Sequence, residues 1–310
     1  MLLSTRYRAI LLFLAVVPLS GCLFRSRKVE QPFDINQFKT ATQAELVDSI
    51  NTQATRIQSV QATVDIDTTV GGVKKGKVTD YQEIRGYVLA RKPAMLRMIG
   101  LMPIVRNKAF DMVSDGAVFK LWIPPKNRFV VGRNDVETRN LAQPMESIRP
   151  QHIYDALLLR AIEPQNEIAV LENDTEIPTD PRSRSVARAE YVIDIIARTD
   201  HGWHLSRKVV FSRIDLMPHR QLLYDENGNV VTNASYQNYK DVGGVQFPWQ
   251  IEMARPQEEY DITLNIVKLD LNLPLADDKF VLEQPPGVPV IHLDQPQPGS
   301  SQSPASGSSR

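Results

Sequence analysis

The sequence predicts a mainly β (α+β) protein built on a single curled antiparallel sheet, and three observations carry that prediction. Apolar and polar residues alternate over eleven or twelve separate stretches, the signature of strands with one buried face. The stretches are joined by short turns rich in Gly, Asp, Asn and Pro, such as Gly71-Gly72, Ser114-Asp115-Gly116 and Gly243-Gly244, which dictate antiparallel neighbours. Only two segments of the mature chain have a helical period. A sheet of that length accumulates twist and curls to hide one face from water, and two helices suffice to cover part of the hollow.

The chain opens with Arg6 and Arg8, then an apolar run from Ala9 to Leu19 that contains Pro18. This is about half of what a membrane-spanning helix requires, so residues 1–21 read as a secretory signal peptide. Its last residues, Leu19-Ser20-Gly21-Cys22, resemble the bacterial lipobox. That likeness implies cleavage between Gly21 and Cys22 and lipidation of Cys22, the only cysteine of the chain. The plain alternative is a small buried apolar residue. Two or three acyl chains anchor almost permanently at about 0.8 kcal/mol per buried methylene. Residues 22–42 form a lipidated tether in which Arg25, Arg27 and Lys28 either meet anionic head groups or remain solvated. Leu23 stands where inner-membrane retention would favour Asp. The resemblance therefore implies an outer-membrane protein of the bacterial envelope, facing the periplasm.

Thr42 and Glu45 have capping-box spacing, and Leu46, Val47, Ile50, Ala54 and Ile57 recur at helical intervals, giving a helix over about 42–59. Strands follow near 60–70, 79–91, 95–100, 104–113, 117–123 and 128–131. A second helix is expected over 145–162, with Ile153, Ala156, Leu157 and Ile162 as its buried stripe. A short strand and a polar loop, 173–188, lead to a second strand series near 189–197, 203–213, 219–225, 230–239, 245–253 and 258–272. The domain is bounded at 43–287, and 288–310 is read as a disordered Pro/Ser/Gly/Gln-rich tail.

With 36 Lys+Arg against 36 Asp+Glu among 310 residues, the chain lacks the basic field that sequence-independent nucleic-acid binding needs, and no nucleic-acid partner is expected. One cysteine excludes an internal disulfide and a four-thiolate metal site. His201 and His204 form the one close histidine pair, without the acidic neighbours of a zinc-enzyme motif. Asp65 and Asp67 share a strand face as paired catalytic carboxylates do, although alternation places them on the wet side. No nucleophile elbow, phosphate-cradling loop or dinucleotide motif occurs. No catalytic residue, metal site or cofactor is assigned, and the chain is read as a non-enzyme.

The most specific pattern lies in the last third. It runs through Gln221 to Gly228, then Tyr236, Tyr239, Gly243, Phe247-Pro248 and Ile251, and closes with Asp277, Phe280, Pro285, Pro286 and Gly287. Lys92-Pro93, Phe110, Asp115-Gly116 and Leu121-Trp122 agree with it. Together these residues resemble the lipoprotein-sorting superfamily of LolA-like carriers and lipidated LolB-like receptors. The resemblance implies a half-barrel of about eleven strands, closed by a helical lid, that binds the acyl chains of a lipoprotein or lipid in an apolar cavity. It further implies a role in sorting or transfer, with a periplasmic carrier protein as a partner. The alternative on the same fold is an envelope interaction or sensor lipoprotein without transfer activity. Candidate cavity-lining residues are Met95, Met98, Phe110, Met112, Phe119, Trp122 and Phe211, apolar and adaptable as either a pocket or a solid core requires. Leu101 and Met102, apolar in a loop, are the candidate membrane- or cargo-inserting pair; ordinary core packing is their alternative role.

Overall fold

In a computed structural model of the chain, residues 38–74, 76–135, 148–176 and 188–294 are described. The signal peptide, Cys22, most of the tether, the segments 136–147 and 177–187, and the tail beyond 294 lie outside the described residues.

Helix α1, Gln43–Arg56, starts as its sequence directs: the Thr42 hydroxyl accepts from the Glu45 backbone, and the Glu45 carboxylate accepts from the Thr42 N–H at 2.7 Å. The strands are β1 Ser59–Gly72, β2 Lys77–Asp80, β3 Ile84–Arg91, β4 Met95–Leu101, β5 Lys108–Ser114, β6 Val118–Ile123 and β7 Arg128–Arg133. Helix α2, Pro150–Leu157, follows, and then β8 Glu167–Glu176, β9 Arg188–Thr199, β10 Gly202–Ser212, β11 Pro218–Tyr224, β12 Val230–Val242, β13 Val245–Arg255, β14 Tyr260–Leu271 and β15 Val290–His292.

All fifteen belong to one open sheet, ordered β15-β7-β6-β5-β4-β3-β1-β14-β13-β12-β11-β10-β9-β8, with β2 paired on β1. Mainly β with few helices is as expected, but the described residues hold fifteen strands where the sequence indicated about eleven. The stretch expected as one strand over 79–91 is broken between Asp80 and Ile84 into β2 and β3. A further strand, β15, pairs in parallel with β7 and takes up residues that composition had assigned to the tail. Three residues are too few for a period to show. Helix α2 is half the expected length because Leu158, its C-cap, is already extended.

One face of the sheet carries the main core. The row Val88, Met98, Met112, Leu121 and Val130 runs in register from β3 to β7, and all five are buried. On β12–β14 the same face supplies Ala234, Met253, Ile262 and Leu264. Phe110 lies so close over Gly100 that a Cβ there would sit 2.4 Å from its ring, so only glycine admits the aromatic. Helix α2 covers this face against β4, β5 and β13, with Ile153, Tyr154, Ala156 and Leu157 buried. Helix α1 covers the same face at the β8–β10 end, where Leu46 and Ile50 meet Ile193, Ile195, Val209 and Phe211. Behind β5–β7, on the opposite face, Val113 and Phe129 pack with Leu282 and Val288 of the C-terminal segment.

Candidate functional site

The seven residues expected to line a cavity divide between the two faces. Met98 and Met112 are register partners on the helix-covered face, joined there by Phe110 and Phe119. Phe211 lies on that face under α1. Met95 and Trp122 do not: Met95 has the opposite parity to buried Leu96 and Met98 on β4, and Trp122 packs with Val113, Phe129 and Leu282 behind the sheet. Strand alternation decides both, since residues three apart on one strand face opposite ways.

Leu101 is the last residue of β4, and Met102 begins the loop to β5. The apolar tip lies further on. Ile104 is 99% exposed and Val105 64%, against 37% for Met102. Ile104 and Arg106 have φ of 68° and 55°, a left-handed conformation that costs a β-branched residue roughly 1–2 kcal/mol. Hydrogen bonds from Met102 N–H to the Asn107 carbonyl at 2.7 Å and from Arg106 N–H to the Met102 carbonyl at 3.1 Å hold the loop in this shape. A compact hairpin end thus presents two aliphatic side chains to solvent.

Under α2 the helix-covered face changes character. The row Arg207, Leu223 and Thr232 runs in register across β10–β12, and Arg255 of β13 joins it through a 2.7 Å bond from Nη1 to the Thr232 hydroxyl. The neighbouring row carries Gln221 between Val209 and Ala234. Arg207, Gln221, Thr232 and Arg255 are all at most 2% exposed. With His152 and Asp155 of α2 they line a cavity of about 400 Å³ whose other walls include Arg160, Leu223, Tyr224 and Val231.

The hydrogen bonds there are one-sided. Arg207 donates from Nη1 to the Arg160 carbonyl at 2.6 Å and from Nη2 to the Ala161 carbonyl at 3.0 Å, with Glu167 at 3.4 Å. Glu167 also pairs with Arg160. Arg255 Nη2 meets Glu258 at 2.8 Å. Gln221 donates to the Asp155 carbonyl at 3.1 Å. The Nε of Arg207, the Nε of Arg255, the Oε1 of Gln221 and the hydroxyl of Tyr236 are buried without a partner among the described residues.

Burial pushes the Asp155 carboxyl up to about 6, although the Gln151 amide and Arg160, Arg255 and Arg207 pull the other way. Burial, reinforced by Arg255 and Arg149, holds His152 well below its ordinary value and so neutral; the Tyr260 hydroxyl lies 3.3 Å from its Nδ1. Burial and Arg160 bring Arg207 down to about 10. Burial opposes ionisation of Glu167, but the Glu163 backbone N–H with Arg207 and Arg160 outweighs it, leaving its pKa below the ordinary value.

No local motif marks this cluster in the sequence. The available signal was parity: Arg207 shares its strand face with Val209 and Phe211, and Arg255 shares its face with Ile251 and Met253. A charge on an apolar parity is the informative exception.

The carboxylates of β1 are explained locally, because Asp65 pairs with Arg85 at 2.6 Å and Asp67 accepts from Asn265 at 3.2 Å. Among the described residues, no group of three His, Cys, Asp or Glu is placed to hold a metal. No helix among them is long and apolar enough to cross a membrane.

The sequence matches no protein-family model and no curated relative. Among solved structures, the chain is similar to a LolA superfamily protein from Nitrosomonas europaea, at 14% identity and a TM-score of 0.48, over 78% of this chain and 99% of that one. It is similar to a domain described as a putative outer membrane lipoprotein-sorting protein from Vibrio parahaemolyticus, at 12% identity and 0.45, over 77% and 94%. A DUF1329 family protein from Desulfovibrio piger compares at 13% identity and 0.47, over 77% and 95%.

Proposed function

We propose that this chain is a non-enzymatic lipoprotein, anchored through Cys22 to the outer membrane and facing the periplasm, that takes the acyl chains of a lipoprotein or lipid against the helix-covered face of its sheet in sorting or transfer. The observation that carries the reading is the β4–β5 loop, which holds Ile104 and Val105 in water at the cost of backbone strain. Exposed aliphatic residues on a rigid hairpin end suit a membrane surface or an incoming acyl chain. Leu101 and Met102 form the base of that loop, and Ile104 and Val105 its working tip.

The helix-covered face is closed by α2, so an acyl chain would have to replace the helix. The magnitudes permit this. Ile153, Tyr154 and Leu157 contribute roughly 5–9 kcal/mol of burial at about 1.5–3 each, while a chain of about fourteen methylenes brings about 11 kcal/mol. A chain taken from water outweighs the helix by about 2–6 kcal/mol, whereas a chain taken from a membrane, already in an apolar medium, gains no such excess, so loading and release depend on the donor and the acceptor.

Two measurements test the proposal. Metabolic labelling with palmitate is expected to mark the wild type and to miss Cys22→Ser; unlabelled wild type ends the anchor. In vesicle flotation of Cys22→Ser, adding Ile104→Glu is expected to lower membrane binding at least tenfold with unchanged thermal stability. Equal flotation would remove the role of the loop.

A second reading, an envelope interaction or sensor lipoprotein without transfer, is favoured by one observation: the apolar part of the sheet face under α1 and α2 is packed by the chain's own buried side chains. Native mass spectrometry of Cys22→Ser separates the two. Co-purified lipid supports carriage, and a uniformly empty protein supports the second reading.

A further inference from the structure

We infer that the cavity beneath α2 is a recognition site for the acidic, hydroxyl-bearing head of an amphiphilic ligand, a phosphoglycerol-type lipid head whose acyl chain continues along the apolar rows of the same face. The inference rests on the acyl-binding reading and adds to it a head-group chemistry.

Three features lead there. The first is the unspent hydrogen-bonding capacity. Two arginines, each 2% exposed, line one cavity with an Nε–H that no group among the described residues accepts, and Gln221 presents an Oε1 that none of them donates to. A buried donor or acceptor left unsatisfied costs about 1–3 kcal/mol, so the fold carries a standing penalty that a matching ligand removes. The second is the kind of match required. Arginine N–H groups bind oxyanions with charge-assisted bonds about twice as strong as neutral ones, whereas Gln221 Oε1 needs a donor. A phosphate ester carrying a free hydroxyl supplies both, and a bare acyl ester supplies neither. Glu167 and Glu258 occupy the Nη sides of Arg207 and Arg255, which fixes the guanidinium planes and leaves the Nε edges. Asp155 and Asp225, also lining the cavity, lie opposite in charge to the arginines; Asp225 is taken up by the Asn227 and Asn229 backbones at 3.0 and 2.8 Å.

The third is position and size. About 400 Å³ is well beyond one or two structural waters at about 30 Å³ each. The polar row Arg207-Leu223-Thr232 abuts the row Val209-Gln221-Ala234, beyond which the face is apolar through Met253 and Ile262. A head bound at the arginines therefore has an apolar path beside it once α2 lifts.

The test is calorimetric titration of the full chain carrying Cys22→Ser with three probes: myristoyl lysophosphatidylglycerol, monomyristoylglycerol and sn-glycerol 3-phosphate. The expected result is lysophosphatidylglycerol binding at least tenfold tighter than the neutral monoglyceride, a preference that Arg255→Gln abolishes, while Gln221→Met weakens binding of both hydroxyl-bearing lipids about threefold or more. Should Arg255→Gln fail to fold, Gln221→Met, which removes no charge, decides. Equal affinity for the two lipids in every variant overturns the head-group site and leaves acyl binding standing. Binding of neither lipid overturns both. Glycerol phosphate binding as tightly as the lysophospholipid overturns the assignment to a lipid.

Discussion

Helices α1 and α2 lie on the same face of one sheet, and they are seated in opposite ways. Under α1 the contact is dry: Leu46 and Ile50 meet Ile193, Ile195, Val209 and Phe211. Under α2 an apolar stripe shares the interface with His152, Asp155, Gln221 and the arginines of β10 and β13. Dry packing gives stability that falls off steeply when any methyl group is lost. A polar interface gives little net stability per contact and leaves the helix dependent on how its partners are satisfied. Helix α1 thus holds the fold, and the seating of α2 depends on how the polar groups beneath it are satisfied.

The largest effect should come from the dry side. Phe211→Ala, at a residue with no exposed surface, is expected to cost about 3–5 kcal/mol in a denaturant titration. A loss under about 1 kcal/mol would mean that α1 is not seated as described. Next comes Arg207→Ala, which leaves Glu167, 3% exposed at its side chain, with Arg160 as its remaining ionic partner. About 3 kcal/mol should be lost, and adding Glu167→Gln should restore more than half. If the double variant is as unstable as the single one, the arginine acts by packing and not by charge.

The smallest effect is also the sharpest. The native pKa of Asp155, about 6, stands above the ordinary 3.8, so the native state holds this proton more firmly than the unfolded chain. That stabilisation is complete below about pH 4 and lost as pH rises through 6. Asp155→Asn should therefore match the wild type near pH 4 and exceed it by about 2–3 kcal/mol at pH 8. His152 works in the other sense, since its depressed pKa costs stability as pH falls below about 6.5, but it acts equally in both proteins and drops out of the difference. A difference independent of pH would show that Asp155 is solvated.

What the sequence disclosed follows the range of the forces involved. The capping box of Thr42 and Glu45 lies within four residues and was legible in full. Met98 and Met112 were legible as apolar positions because alternation within a strand is local. Met95 and Trp122 lie on the other face because strand parity, which puts Met95 opposite Met98, decides orientation where apolar content alone does not. The cavity was not legible, since Arg207 and Arg255 come to line one cavity only through the register of β10 to β13. Nor was β15, whose parallel pairing with β7 depends on a chain return that no local pattern records.

The pairing of β1 with β14 sets the timing of assembly. The middle seam of the sheet joins Val60 to Leu271 and Val70 to Tyr260, so the two wings can each form hairpins early, but the hollow between them has no floor until the final long strand has emerged. Loop closure over such a span is slow. A newly made chain therefore stays pliable through most of its synthesis, until the seam locks.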